Sequence, residues 1–313
     1  MLNVILSDTM KLTKREVGVL EFVLGKRATA GEISAALGIK KSNLSKYLKK
    51  LSKLRLIAVV KKGRAREISP DPVLSFGFAE SRAGFPSIRL SELFAGSMPF
   101  LISFLKGKGA FRISEIDLPQ ATAKRLLRKL RSLGIVFMGR KGKYELRKDA
   151  QPLAGFVRRV LVHIYLAEAE AELGTIKETR FSFGSARGLE AIFITEKEAA
   201  QMHYRPTAYS AFASFGISLI LAGKHYYANI HPEPADVVIH TLAVSKDARS
   251  IAYACALMLK NSINPQHLLE KKQLFTLTED FMRDLVRFMQ CRGEQSPAGF
   301  PAWDEVERIA NAV

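Results

Sequence analysis

The sequence predicts an α+β protein in which two small helix-and-hairpin units precede a mixed α/β domain with a helical end. Three observations predict it. Residues 29–69 run as a short helix, a turn, a lysine-rich helix and a basic hairpin. Part of that pattern returns 79 residues later. The charge is also divided: residues 1–150 hold 31 Lys and Arg against 12 Asp and Glu, a net of +19, whereas residues 151–313 hold 17 against 18. The whole-chain charge of +18 therefore belongs to the first half.

In the first unit Thr29 is an N-cap for a helix from Ala30 to Leu37, and Gly38 ends it. Lys40 to Lys53 form the next helix, with Leu44, Leu48 and Leu51 as its inward stripe. Its other face offers Ser42, Asn43, Lys46, Lys49, Lys50 and Lys53. Leu56 to Val60 read as a strand, Lys61 to Arg64 as a turn, and Ala65 to Ser69 as the returning strand.

This order resembles the winged helix-turn-helix DNA-binding proteins over residues 11–69, a class rich in transcription regulators. The resemblance implies that the second helix enters the major groove while the hairpin, the wing, touches phosphate or the minor groove. It makes Ser42, Asn43, Ser45 and Lys46 the candidates for base contacts. Lys49, Lys50 and Lys53 supply further charge on the helix, and Lys61, Lys62, Arg64 and Arg66 supply it on the wing.

The second unit follows from the repeat. KLRSLGIV at 129–136 aligns with KLSKLRLI at 50–57, and Gly142 stands 79 residues after Gly63, so two features share one register. Ser97 to Lys106 is read as a first helix, Ile113 to Ile116 as a shortened second, and Pro119 as the N1 residue of a recognition-type helix reaching Leu133. Ala123, Leu126 or Leu127, Leu130 and Leu133 face inward. Thr122, Lys124, Arg125, Arg128 and Arg131 face outward, with Arg140, Lys141 and Lys143 in the hairpin. The expected domains are 1–70 and 91–150, joined by a linker at 71–90 that opens on Ser69–Pro72, and then 151–313.

A net of +19 attracts a polyanion through counterion release. Duplex DNA is the expected partner, since a helix cannot readily read the narrow major groove of A-form RNA. At 313 residues and 48% apolar content the chain can bury two or three cores. Cys255 and Cys291 lie outside any CxxC motif and read as reduced structural thiols. The first residues lack the charge of a signal peptide, and the longest apolar stretch, near 211–223, is shorter than the ~18 residues of a membrane span. A cytoplasmic protein without membrane contact is expected.

In the second half, Leu153 to Leu173 has helical periodicity and suits a connecting or dimerising helix. Arg180–Phe183, Ile217–Leu221 and His225–Ile230 read as strands, Glu196–Met202 and Thr207–Phe215 as helices, and the chain from Pro234 onward as mostly helical. TAYSAFASFG at 207–216 and PADVVIHTLAVSKDAR at 234–249 resemble the C-terminal domain of AbiEi-type antitoxins, over about residues 175–290. Those proteins place winged-helix units before a degenerate nucleotidyltransferase-like domain, which implies an autorepressor paired with a neighbouring protein.

Enzyme signatures fail on their spacing. Phe183-Gly184-Ser185 followed by Glu196-Lys197-Glu198 has the outline of a nucleotidyltransferase turn and acid pair, but Lys197, Ala199 and Ala200 suggest a helix start instead. Gly216 to Lys224 is too long for a phosphate loop and continues into His225. The six histidines have no partner at metal spacing, and His240 within Val237–Leu242 reads as a hydrogen-bonded core residue. Tyr204, Tyr209, Tyr226 and Tyr227 read as core aromatics. The sequence is thus read as a sequence-specific double-stranded DNA-binding transcription regulator, antitoxin-like, with no catalytic residue, metal or cofactor. Its C-terminal domain is expected to form a homodimer or to take a protein partner or small-molecule effector. The competing readings are a low-specificity chromosomal or replication protein, a nucleotidyltransferase-like enzyme, and a scaffold using winged helices without DNA.

Overall fold

Caps decide where the first helices begin. In the computed structural model, which describes residues 12–62, 65–199, 203–219, 221, 223–271, 275 and 277–312, helix α1 (Lys14–Gly25) starts on a capping box. The Thr13 N–H donates to Glu16 Oε2 at 2.6 Å, and the Glu16 N–H donates to Thr13 Oγ1 at 3.3 Å. After the two-residue strand β1 (Ala28–Thr29), helix α2 (Ala30–Leu37) repeats the device with Thr29 and Glu32. Gly38 ends α2 in the left-handed region at φ +61°, where a side chain is strained. Helix α3 (Lys41–Lys53) then buries Leu44 and Leu51. Strands β2 (Ile57–Lys62) and β3 (Ala65–Pro70) form an antiparallel hairpin, and β1 adds to β3, giving a three-stranded sheet of order β1-β3-β2.

The stretch expected as a linker is a helix, α4 (Pro72–Gly84). Asp71 accepts from the N–H groups of Val73 at 2.9 Å and Leu74 at 3.1 Å, and Pro72 occupies the first turn, where a missing N–H costs nothing. The Ser-Pro-Asp-Pro string is therefore a helix start, and Leu74 and Phe78 carry α4 into the core. Glu21 of α1 receives Arg82 of α4 and, at 3.2 Å, the N–H of Leu90, which opens the short helix α5 (Leu90–Leu93).

Helix α6 (Met98–Leu105), a 3-10 turn at Ile113–Glu115, and helix α7 (Gln120–Ser132) follow, then a hairpin of β4 (Val136–Met138) and β5 (Tyr144–Leu146). Pro119 is the N-cap of α7 with extended ψ of 133°, one position earlier than expected. Phe111 bridges Tyr144 through two backbone bonds of 2.9 and 2.7 Å, supplying a third rung as β1 does for β3. The ends of α3 and α7 are built alike. Leu56 N–H reaches Leu51 C=O at 3.0 Å and Ile135 N–H reaches Leu130 C=O at 2.9 Å, while Arg55 and Gly134 both adopt positive φ, +56° and +72°. Each pair stands 79 residues apart.

Helix α8 (Gln151–Leu173) comes next. Its residues as far as Glu168 belong to the same compact unit, which among the described residues covers 12–168 and 185–189. Phe156 lies 5.7 Å from the Phe78 ring and 6.4 Å from Phe94. One hydrophobic core runs through Leu20, Leu51, Ile68, Leu101, Leu130 and Val157. Residues Leu153, Phe156, Val157 and Val160 are thus buried within one chain, which removes that stretch as a dimerising face and carries this core past residue 150.

Among the described residues the second unit lies within 169–184 and 190–312. Strands β6 (Ile176–Ser182), β7 (Glu190–Thr195), β8 (Arg205–Pro206) and β9 (His225–Ala228) form an antiparallel sheet of order β6-β7-β9-β8. Every residue of β7 is buried. Its unbroken apolar run lacks the period-2 signal of a half-exposed strand, which is why the sequence did not announce it. Ala208–Phe215 is a 3-10 helix, residues 217–219 and 221 are not strand, and Glu196 to Ala199 are not helical. Helices α9 (Pro234–Val244), α10 (Ala248–Lys260), α11 (Pro265–Lys271), α12 (Glu279–Gln290) and α13 (Trp303–Asn311) make the helical end around a core of Val238, Leu242, Leu257, Leu285 and Val306.

Candidate nucleic-acid interface

The capped α2 and the left-handed turn at Gly38 aim α3 outward by its N-terminal half. Ser42, Asn43, Ser45, Lys46, Lys49 and Lys53 are all exposed, while Leu44 and Leu51 hold the opposite side in the core. Lys50 departs from the expected outer face. Its Nζ lies 3.1 Å from Glu16 Oε2, a carboxylate only 7% exposed, because α1 packs against that side of α3. Lys50 therefore ties two helices together.

In the hairpin Lys61 and Arg66 are exposed and directly opposite in register. Two like charges facing across a ladder destabilise a sheet by a few tenths of a kcal/mol to about 1 kcal/mol unless an anion lies against them. Lys62 closes β2, and Arg64 lies outside the described residues. Between α3 and the hairpin runs a groove of about 610 Å³, lined by Lys41, Ser45, Lys49 and Arg66 over a floor that includes Leu48, Val59 and Ile68. Two cations here escaped the sequence reading. Lys41 lines the groove, and Lys40 stands exposed at the N-cap of α3 with no side-chain cap bond. A helix beginning on two lysines instead of Ser, Thr or Asp was the available signal, since a phosphate favours an uncapped helix start.

Helix α7 also turns cations outward over an apolar inner face. Lys124, Arg125, Arg128 and Arg131 are exposed, Thr122 is half-buried, and Ala123, Leu126, Leu127 and Leu130 are buried. Lys129 points 3.9 Å from Glu92. In the short hairpin Arg140 and Lys141 are exposed, Lys143 is half-buried, and Gly142 turns the chain at φ +69°.

The second unit carries a different chemistry. His240 is fully buried, with Nδ1 2.5 Å from Thr207 Oγ1 and Nε2 2.6 Å from Glu190 Oε1. It is the hydrogen-bonded core residue its apolar setting suggested. Glu196 is exposed, 3.1 Å from Lys177. Among the described residues no group of three or more His, Cys, Asp or Glu is arranged to hold a metal ion. Tyr209 and Tyr226 pack edge to face at 5.3 Å, and burial raises both phenol pKa values. Burial likewise raises the Cys255 thiol far above its ordinary value.

Residues 10–66 match the MarR family. With the geometry above, this makes the N-terminal segment a winged-helix domain of the kind that transcription regulators use to bind DNA. Residues 201–312 match the HVO_2833_C family, a C-terminal domain. Both strings that suggested an antitoxin-like domain fall inside that second match, whose name states no activity. No curated protein matches the chain. Among the described residues no helix is long and apolar enough to cross a membrane.

Proposed function

We propose that this protein is a sequence-specific double-stranded DNA-binding transcription regulator that reads bases with α3 and anchors on phosphate with α7. The observation that carries the reading is the face of α3, where Ser42, Asn43, Ser45 and Lys46 lie exposed on the N-terminal turns beside the groove holding Lys41 and Arg66. An asparagine there suits a bidentate contact to adenine, and the surrounding lysines suit phosphates. The like ending of α3 and α7 supports a tandem arrangement in one chain. Lys124, Arg125, Arg128, Arg131, Arg140 and Lys141 are then its second set of phosphate contacts. Lys50 is left out of the interface, since it pairs with Glu16.

The C-terminal unit, near neutral in charge, takes the regulatory role in this proposal, through a homodimer, a protein partner or an effector. An autorepressor of the antitoxin kind is the finer form of the reading. Selection of bound sequences from a random duplex pool tests it, followed by affinity for the selected site against scrambled DNA. A ratio of about 10³ or more is expected of a regulator. Equal affinities would leave a low-specificity DNA-binding protein instead.

A further inference from the structure

A second concentration of positive charge lies on elements other than α3 and α7, where the end of α6 meets α4 and α8. Lys106 caps α6 and opens the segment Lys106-Gly107-Lys108-Gly109. Arg158 and Arg159 sit side by side on α8, both half-buried. The facing helices are bare where these side chains lie. A methyl group at Gly155 of α8 would stand 2.8 Å from Lys106 Nζ, and one at Gly77 of α4 would stand 2.5 Å from Arg159 Nη1. Lys106 and Arg159 thus lie along glycine surfaces, with Arg158 Nη2 3.5 Å from where a methyl at Gly107 would be.

The balance of charge in this cluster is unfavourable. Burial first, then the charges of Arg158 and Arg159, lower the Lys106 pKa, and burial alone lowers that of Arg158 to about 10. Glu80 offsets part of this, at 3.8 Å from Arg159. Arg158 donates from Nε to the Ser103 carbonyl at 2.8 Å, satisfying the end of α6. That bond explains one cation. It does not explain why Lys106 and Arg159 are held against it, since three like charges in a half-buried site repel.

We propose that this cluster binds a compact phosphate-bearing anion, with Lys106 and Arg159 as direct contacts and Arg158, held by the Ser103 carbonyl, as a further fixed positive charge beside them. Guanidinium forks and an ammonium on adjacent helices match the several acceptor oxygens of a phosphate. The phosphate comes either from a small molecule or from the DNA backbone.

The test uses the full chain, with Lys106→Gln and Arg159→Gln as variants and inorganic pyrophosphate as the probe, at constant ionic strength in chloride. Saturable binding to the unmodified protein is expected by calorimetry, with a rise in Tm that tracks occupancy. Each variant should bind about tenfold more weakly, which is about 1.4 kcal/mol. Without pyrophosphate, Lys106→Gln should melt no lower than the unmodified protein, because a repelling charge has gone. If the variants bind DNA normally, the natural anion is a small phosphorylated molecule. If they also bind all duplexes more weakly with a flatter salt dependence, it is the DNA backbone. Absence of saturable pyrophosphate binding, or variants that melt lower while binding pyrophosphate normally, would overturn the proposal and leave the cluster as the cap of α6.

Discussion

Helices α3 and α7 are each 13 residues long and end on the same hydrogen-bond pattern, yet their approaches differ. A full helix with a capping box and a left-handed glycine leads into α3, and its hairpin strands are six residues each. A single 3-10 turn leads into α7, and its hairpin strands are three residues each. The outward residues differ accordingly. The first turns of α3 carry Ser42, Asn43 and Ser45, whose short polar groups can distinguish base edges, while α7 presents mainly Lys and Arg, which suit phosphate. The difference teaches that two helices with like endings can present different chemistry, short polar groups after a full capped helix and long hairpin, and cations after a single turn and a short one.

The largest effects should come from what the two units share. Leu51 and Leu130 are both fully buried in one continuous core. Leu51→Ala and Leu130→Ala should therefore each cost about 2–5 kcal/mol, and each should lower a single unfolding transition common to both units. If calorimetry shows two transitions, each moved by only one substitution, the shared core is not cooperative.

Next come the contacts that should separate the two helices. Arg128→Ala on α7 should weaken binding about equally on selected and scrambled duplexes and make the salt slope shallower by about 1. A loss confined to the selected site would assign base reading to α7 as well.

The two helix ends allow a smaller test. Arg55 holds φ +56° where its counterpart Gly134 holds +72°, and a side chain in that region costs about 1 kcal/mol. Arg55→Gly should raise stability by about that amount and Gly134→Ala should lower it, both measured by denaturant unfolding. Changes of the same sign would show that the two ends are not equivalent.

Smallest of all is Lys50→Ala, which should leave DNA affinity nearly unchanged and cost about 1 kcal/mol of stability, because Lys50 itself is 28% exposed and the buried Glu16 carboxylate keeps its bond from the Thr13 N–H. A DNA defect matching that of Arg128→Ala would return Lys50 to the interface.

How far the sequence could be read follows from where each signal resides. Thr29, Gly38 and the leucine stripe are local and periodic, and they placed α2 and α3 almost to the residue. Ser-Pro-Asp-Pro was ambiguous because proline and aspartate mark both loops and helix starts, and only the burial of Leu74 and Phe78 decides between them. The role of Lys50 depends on Glu16, 34 residues earlier, a contact no periodicity reveals. Strand β7 stayed hidden because full burial erases alternation, and with it Glu190, the buried carboxylate that holds His240. Charge and composition marked the basic half; they say little about a near-neutral sheet covered by helices.

Asn43 offers the most direct test, because a base-reading role for α3 rests on that position more than on any lysine. Affinities of the full chain and of Asn43→Ala should be measured by titration on the selected duplex and on a scrambled one of equal length. The expected result is a loss of about 1–3 kcal/mol on the selected duplex and almost none on the scrambled one. Equal losses on both, or no loss on either, would mean that α3 does not read bases through its N-terminal turns.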